Sequence, residues 1–147
     1  MNEDELIPGP IMPLPAQHRK VLLIESDPDS RKALRVLLNK LGCEGEVAAD
    51  GRQALAMVSR NDFDAVLLDL RSSTLPPDEV VSGIHDIRPS LMGRVLVITG
   101  EVDDPETLDL VERHFLLQVR PSSLTNDLAG RLRALLRIAP TPSEVLY

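Results

Sequence analysis

The chain contains 147 residues, of which 43% are hydrophobic, and this is enough to bury the core of one domain. A net charge of −7 and a pI near 4.9 argue against sequence-independent binding to nucleic acid and against attraction to an anionic membrane, since both need a basic surface. Aromatic residues account for only 2% of the chain, which is too few to build base-stacking platforms.

Cys43 is the only cysteine, so the chain cannot form an internal disulfide, and a reducing compartment fits best. It lies near an expected strand, where a buried structural thiol is favoured over a reactive one. The first residues are acidic, unlike a signal peptide, and no apolar run is long enough to span a membrane. We therefore expect a cytoplasmic protein.

The two ends of the chain differ in composition from the middle. Residues 1–19 contain four closely spaced prolines, which prevent a helix and weaken any strand, so we predict an extended or disordered arm. Residues 138–147 also contain prolines and are predicted to form a short tail. A single domain is therefore expected over residues 20–137.

The first predicted strand, residues 20–24, is apolar after its first residue and is followed by Glu25. Asp27 with a proline after it is typical of a helix N-cap, because proline at the first helical position loses no hydrogen bond. Apolar residues at helical spacing continue this helix as far as Gly42. A second strand, residues 44–48, is less apolar, which favours a place at the edge of a sheet.

Asp50 and Gly51 open a second predicted helix, and the strand after it is an unbroken apolar run within residues 64–70. A run without alternation suits a strand that is covered on both faces, as in a parallel sheet. Asp69 is costly to bury, so we expect the strand to open there into a polar crevice. In open α/β sheets this crevice is where ligands bind.

The rest of the chain repeats the alternation of strands and helices, with Asp104 and Pro105 again forming the signature of a helix start. The further predicted segments are a polar loop at 71–78, a helix that ends at Arg88, strands at 94–98 and 115–119, and a last helix from Leu124 to Leu136. Five strands that alternate with helices predict an α/β domain, a doubly wound parallel sheet with helices on both faces.

Four of the five predicted strands end in polar side chains that are able to do chemistry. They are Glu25 with Ser26 and Asp27, then Asp69, Thr99 and Arg120. Because the carboxyl ends of parallel strands lie on one rim, these side chains are expected to converge there. Any strand must end in something polar, so each of these residues by itself needs no functional explanation. The occurrence of two acids, a hydroxyl and a cation together is less well explained in this way.

Five segments, in this order and at this spacing, resemble the receiver domain of two-component response regulators, especially receivers found with hybrid histidine kinases. They are Val-Leu-Leu-Ile-Glu-Ser-Asp-Pro-Asp-Ser-Arg, Ala-Asp-Gly-Arg-Gln-Ala-Leu, Phe-Asp-Ala-Val-Leu-Leu-Asp-Leu, Ile-Arg-Pro-Ser-Leu with Val-Leu-Val-Ile-Thr-Gly, and Arg-Pro-Ser-Ser-Leu. The resemblance covers residues 20–137.

The resemblance implies a flavodoxin-like sheet of strand order 2-1-3-4-5, with Asp69 accepting a phosphoryl group from a kinase histidine. It also implies a Mg²⁺ site made by Glu25, Asp69 and the backbone carbonyl of Arg71. Thr99 matches the hydroxyl residue that turns toward the phosphoryl group, and Arg120 takes the place of the family's lysine. The peptide bond after Arg120 is a candidate for the cis form, as in similar domains.

Several positions depart from the family pattern. Ser26 replaces the second acid, a direct metal ligand in similar domains, so only weak ligation by its hydroxyl and a lower Mg²⁺ affinity are expected. Arg120 replaces a lysine, and its broader guanidinium binds oxygens as a planar fork. Leu117 stands where an aromatic residue often reports the switched state, and Pro77-Asp78 replace a glycine-containing turn.

Two functions therefore compete. The first is a phosphoacceptor signalling domain, favoured because the acceptor, the hydroxyl residue and one acid are all present. The second is a pseudo-receiver, a protein-interaction module that works without phosphorylation, favoured by the departures. A metal-dependent hydrolase is disfavoured, because no nucleophile-base pair is evident and His18, His85 and His114 fall in different elements, as surface histidines would.

The sequence shows no output domain after the last predicted helix. It is therefore interpreted as a stand-alone response regulator that receives a phosphoryl group from a histidine kinase and signals through an unidentified protein partner, without catalysing turnover as an enzyme. Both a monomer and a homodimer are compatible with the sequence.

Overall fold

The computed structural model of the chain describes residues 19–71, 76–100, 104–120 and 127–136. Strands and helices alternate through these residues. The strands are β1 (Arg19–Ile24), β2 (Cys43–Ala48), β3 (Ala65–Asp69), β4 (Val95–Ile98) and β5 (Leu117–Val119). The helices are α1 (Pro28–Lys40), α2 (Gly51–Arg60), α3 (Pro77–Ile87), α4 (Pro105–His114) and α5 (Ala129–Leu136), with a 3₁₀ turn at Pro89–Leu91.

The five strands form one parallel sheet in the order β2-β1-β3-β4-β5, which confirms the predicted fold and strand order. Its central strand is β3, whose five residues are all buried. The register pairs Ile24 with Leu68 and Asp69 with Ile98, so the carboxyl ends of β1, β3 and β4 lie side by side. The predicted edge position of β2 is also confirmed.

Two apolar layers cover the two faces of the sheet, because successive side chains of a strand point to opposite faces. On β3, Val66 and Leu68 belong to the layer built with α2, α3 and α4. Ala65 and Leu67 belong to the layer built with α1 and α5. Each face of the sheet is therefore covered by helices, as a buried parallel sheet requires.

Three helices begin at the aspartates that the sequence placed at helix starts. The carboxylates of Asp27, Asp50 and Asp104 accept hydrogen bonds from backbone N–H groups three residues later, at 2.9, 2.8 and 2.8 Å. Such bonds satisfy amides that have no partner within the helix. At the other end of α1, Gly42 adopts a φ of 78°, a left-handed conformation that glycine tolerates best.

Two predicted boundaries are wrong by two residues. Helix α3 begins at Pro77, so the loop predicted over residues 71–78 is too long; Asp78 lies in the first helical turn, where its charge complements the helix dipole. Strand β5 begins at Leu117, since Phe115 ends α4 with a left-handed φ of 54° and an exposure of 82%. An apolar run by itself did not reveal that Phe115 faces solvent.

Several predicted segments lie outside the described residues. They are residues 1–18 of the arm, the tail, the start of the last helix at Leu124, and the peptide bond after Arg120. Arg19, which was predicted to belong to the arm, is the first residue of β1, so that boundary is wrong by one residue. Across the residues that are described, no helix combines the length and apolar character needed to cross a bilayer.

Candidate functional site

The carboxyl-terminal rim of the sheet holds the buried polar side chains identified among the described residues. Glu25, Asp69 and Thr99 follow or end β1, β3 and β4, and each is at most 2% exposed. A buried carboxylate is unfavourable unless charge or hydrogen bonds stabilise it. Polar partners of these residues are therefore part of the site.

The first carboxylate, that of Glu25, is held at the entrance to α1. Its backbone N–H donates to Ala48 O at 3.0 Å, which continues the pairing of β1 with β2. Its Oε2 accepts a hydrogen bond from the backbone N–H of Asp27 at 3.1 Å. Because Asp27 in turn caps α1, the predicted capping role of Asp27 is confirmed, and it fixes the chain on which Glu25 lies.

The second carboxylate, that of Asp69, is clamped by Arg71. The Arg71 Nε donates to Asp69 Oδ1 at 2.9 Å and Nη2 donates to Oδ2 at 2.7 Å, a bidentate ion pair. The backbone N–H of Arg71 also donates to Oδ1, at 2.9 Å. Both oxygens of the candidate phosphoacceptor are thus engaged by a single residue.

These contacts determine the ionisation of Asp69. Burial raises the pKa of Asp69, but hydrogen bonds from the Arg71 side chain, with Glu25 and from the Arg71 backbone outweigh burial and bring the pKa below its usual value. The same hydrogen bond with Asp69 raises the pKa of Arg71. The charged form of Asp69, a carboxylate with nucleophilic oxygens, is therefore the favoured one, and it lies buried at the end of β3.

The hydroxyl of Thr99 is hydrogen-bonded toward the edge of the sheet. Gln118 on β5 donates from Nε2 to Thr99 Oγ1 at 2.9 Å, and Oγ1 donates to Gly100 O at 3.3 Å. The backbone N–H of Thr99 donates to Val119 O at 3.0 Å. Thr99 is thus fixed between β4 and β5 by a residue that sequence analysis did not select.

Ser26 and Arg120 lie at the same rim. Ser26 is half-buried between Glu25 and Asp27, and Arg120 follows β5 and is also half-buried. The Arg120 Nη1 donates to Gly100 O at 3.3 Å, next to the Thr99 hydroxyl contact. Of the predicted site residues, the structure brings Glu25, Asp69 and Arg71 into one charged cluster, with Thr99 and Arg120 on the neighbouring strand ends.

The Arg71 side chain and Gln118 were not among the site residues predicted from the sequence. For Arg71, only the backbone carbonyl was expected to matter, although an aspartate that accepts a hydrogen bond from the backbone N–H two residues later forms a turn that can bring that residue's side chain back to it. That spacing, with a cation two positions after a buried acid, was a usable signal. The signal for Gln118 was an amide inside an otherwise apolar strand.

The oxygen donors at the rim meet the minimum that Mg²⁺ requires. Mg²⁺ is commonly bound by one or two carboxylates together with carbonyl oxygens, waters and phosphate, and Glu25 and Asp69 supply two carboxylates. The described part of the chain contains no cluster of three or more acidic, histidine or cysteine side chains suited to a metal. The donor set therefore fits a weakly held magnesium ion rather than a high-affinity structural metal.

The histidines contribute nothing to this rim. His85 on α3 is exposed, as predicted. His114 is 16% exposed, and its Nε2 lies 2.9 Å from Oδ1 of the exposed Asp78, so it is a half-buried histidine paired away from the rim. His18 lies outside the described residues. Neither described histidine is paired with a nucleophile, which leaves the hydrolase hypothesis without support.

Residues 21–116 match the family model described as the response regulator receiver domain. The chain is 32% identical over 103 residues to the response regulator receiver protein Anae109_2439 of Anaeromyxobacter sp. strain Fw109-5, covering 70% of this chain and 42% of that protein. It is 32% identical over 124 residues to the transcriptional regulatory protein TcrA of Mycobacterium tuberculosis, covering 84% and 48%. The chain thus spans about half the length of these curated relatives.

Solved structures share the fold at low sequence identity. A CheY-like receiver domain protein from Methanospirillum hungatei JF-1 superposes with a TM-score of 0.72 at 19% identity, over 81% of this chain and 94% of that one. The receiver domain of the sensor histidine kinase PA1611 from Pseudomonas aeruginosa PAO1 is described with magnesium coordinated in its active site cleft. It superposes with a TM-score of 0.71 at 19% identity, over 82% of this chain and 98% of that one. A streptococcal redox sensor, from a family described as evolved from two-component response regulators, superposes with a TM-score of 0.69 at 21% identity, over 81% of this chain and 51% of that one.

Proposed function

The chain belongs to the response regulator receiver family, and from that premise we propose that it accepts a phosphoryl group on Asp69 from a histidine kinase and relays the signal to a protein partner. Receivers are signalling domains rather than conventional enzymes. We assign the receiver unit to residues 20–137. The observation that carries the proposal is the buried, ionised carboxylate of Asp69 at the end of the central strand, beside Glu25.

The chemistry needs a carboxylate that can attack phosphorus. An Asp69 oxygen forms the new bond to phosphorus while the bond to the kinase histidine nitrogen breaks, giving an acyl phosphate. Charge on the three remaining phosphoryl oxygens must be offset during transfer. Arg120 is the cation that we assign to this task, and Thr99 is the hydroxyl donor that we assign beside it.

Magnesium is the cofactor that we propose for this site. Glu25, Asp69 and the backbone carbonyl of Arg71 would hold it, with the Ser26 hydroxyl as a weak additional ligand. When bound, Mg²⁺ would offset negative charge on the phosphoryl oxygens. The carboxylates of this chain orient the site, and burial keeps bulk water from the acceptor.

The switch that follows from this chemistry involves β4 and β5. An attached phosphoryl group adds a charge of about −1.5 to −2 at neutral pH. We propose that this charge attracts Thr99 and Arg120, which would give up their hydrogen bonds with Gln118 and with Gly100 O. The surface around α4 and β5 would then change shape, which a partner can read.

The second candidate is a phosphorylation-independent interaction module. It is favoured by Ser26 in place of an acid and by the Arg71 guanidinium, which already neutralises Asp69. The likeness to a streptococcal family described as redox sensors evolved from response regulators shows that receiver folds have been put to other uses. In this reading, the partner binds one fixed conformation of the domain.

Intact-mass measurement after incubation with Mg²⁺ and acetyl phosphate separates the two candidates. We expect the wild-type protein to gain the mass of one phosphoryl group and Asp69→Asn to gain none. Asp86→Asn, which removes an exposed aspartate of α3, is the matched control and should gain the same mass as the wild type. A folded wild-type protein that gains no mass, together with a Ser26→Asp variant that also gains none, would support the interaction module instead.

A further inference from the structure

The Arg71 guanidinium holds both oxygens of Asp69 from the solvent side. Asp69 is 2% exposed whereas the Arg71 side chain is 36% exposed, so the cation lies between the acid and the outside. The two donor contacts, at 2.9 and 2.7 Å, have the geometry of a strong fork-to-carboxylate pair. Any reagent that approaches Asp69 from this side meets the guanidinium first.

The guanidinium also interacts electrostatically with Glu25 and Asp27. The positive charge of Arg71 thus interacts with three acidic side chains, of which Asp69 is its ion-pair partner. An acidic pocket of this kind would otherwise need an external cation. Arg71 supplies one from within the chain.

Arg71 and Mg²⁺ require the same atoms. Metal ligation and attack on phosphorus each use an oxygen lone pair of Asp69, and the fork of Arg71 engages both oxygens of that side chain. A released Arg71 side chain has room nearby, since it lines an open cavity of about 380 Å³ against α1, together with Ser30, Leu34 and Leu37. Rotation of the side chain toward this cavity would break both guanidinium contacts to Asp69, while the Arg71 backbone N–H would keep its bond to Oδ1.

We propose that Arg71 is a built-in counter-ion that competes with Mg²⁺ for Asp69 and must rotate outward before the acceptor can react. The competition between Arg71 and the metal does not depend on whether Asp69 is phosphorylated. The effect of Arg71 on phosphoryl transfer rests on the proposed function. Arg71 is accordingly a regulatory residue for the site, which keeps the pocket stable in the absence of metal and lowers its affinity for the metal.

The test is a calorimetric titration with Mg²⁺ alone, at fixed ionic strength, of the wild type and of Arg71→Gln. We expect Arg71→Gln to bind Mg²⁺ about tenfold more tightly, since the competing charge is removed. Arg113→Gln is the matched control, because Arg113 is likewise held in ion pairs, with Asp78 and Asp109, but lies on α4, and it should bind as the wild type does. An Arg71→Gln variant that unfolds cooperatively yet binds Mg²⁺ no more tightly would overturn the proposal.

A measurement on the unmodified protein covers the case in which Arg71→Gln does not fold. The Nε–H resonance of Arg71, held by Asp69 in the metal-free protein, should shift or broaden as Mg²⁺ is added; an unchanged resonance at saturating Mg²⁺ would overturn the proposal. Tighter metal binding by Arg71→Gln without any phosphoryl gain in either protein would refute the proposed function and leave the counter-ion role standing.

Discussion

Ser26 follows Glu25 at the rim of the sheet, and an acid in its place would add a carboxylate to those of Glu25 and Asp69. A neutral hydroxyl contributes less than a carboxylate to binding a hard divalent cation. We expect Ser26→Asp to bind Mg²⁺ about tenfold more tightly than the wild type. The affinity is measured from the rise of the unfolding temperature as Mg²⁺ is added. Ser90→Asp adds the same charge at an exposed position away from the rim, and should leave the affinity unchanged. Equal affinity in the two variants would contradict the assignment of Ser26.

The residues of the site differ in how far sequence could identify them. Glu25, Asp69 and Thr99 could be selected because the parallel topology brings strand ends to one rim. The side-chain partners could not be selected in the same way. Whether Arg71 reaches Asp69, or Gln118 reaches Thr99, depends on rotamers and on the register of β4 against β5, and neither is visible in a sequence.

Two glycines, one after α1 and one inside α5, are expected to respond in opposite ways to substitution by alanine. Gly42 ends α1 with a φ of 78°, whereas Gly130 lies inside α5, and a Cβ at either position would meet nothing within 4 Å. Only the backbone therefore decides the outcome of substitution. We expect Gly42→Ala to lower the free energy of unfolding by about 1–2 kcal/mol, because alanine is strained in the left-handed region.

Gly130→Ala is the opposite case, and we expect it to raise the free energy of unfolding by about 0.5–1 kcal/mol, because alanine loses less backbone freedom in a helix than glycine does. Urea unfolding of the two variants beside the wild type measures both effects. The same sign of change in both variants would show that the backbone argument fails.

Elements with strong end signals were predictable, and those without them were not. The three aspartate caps gave the starts of α1, α2 and α4 to the residue, because a cap is a local interaction between neighbours in sequence. No side chain caps α3, and its start was placed too late. Phe115 was placed in a strand because burial, which it lacks, is a property of the folded chain.

At the scale of the whole molecule, an ionic cluster joins two helices that are far apart in sequence. Asp78 on α3 accepts from Arg113 Nη1 at 3.0 Å and lies 2.9 Å from His114 Nε2, both on α4. Asp109 binds the same arginine at 2.7 Å, and Asp104 and Glu106 line the adjoining cleft. The sheet topology could be predicted, but not this bridge, because it depends on how α3 and α4 pack together.

The cluster makes stability depend on pH in the acid range. Hydrogen bonds from His114 and then Arg113 bring the pKa of Asp78 below its usual 3.8. A pKa that is lower in the folded than in the unfolded state gives stability that is present above the unfolded value and is lost as pH falls through the folded value. The wild type should therefore be more stable than Asp78→Asn at about pH 6, with the difference shrinking toward about pH 3.

Urea unfolding of the two proteins across this range measures the difference directly, and because Asp78→Asn keeps Arg113 and His114, the comparison isolates the titration of one carboxylate. A difference in the free energy of unfolding that stays constant with pH would mean that the effect of Asp78 does not come from its charge. A difference that closes in acid would show that the charge of Asp78 links α3 to α4 across the cleft next to the proposed switch surface.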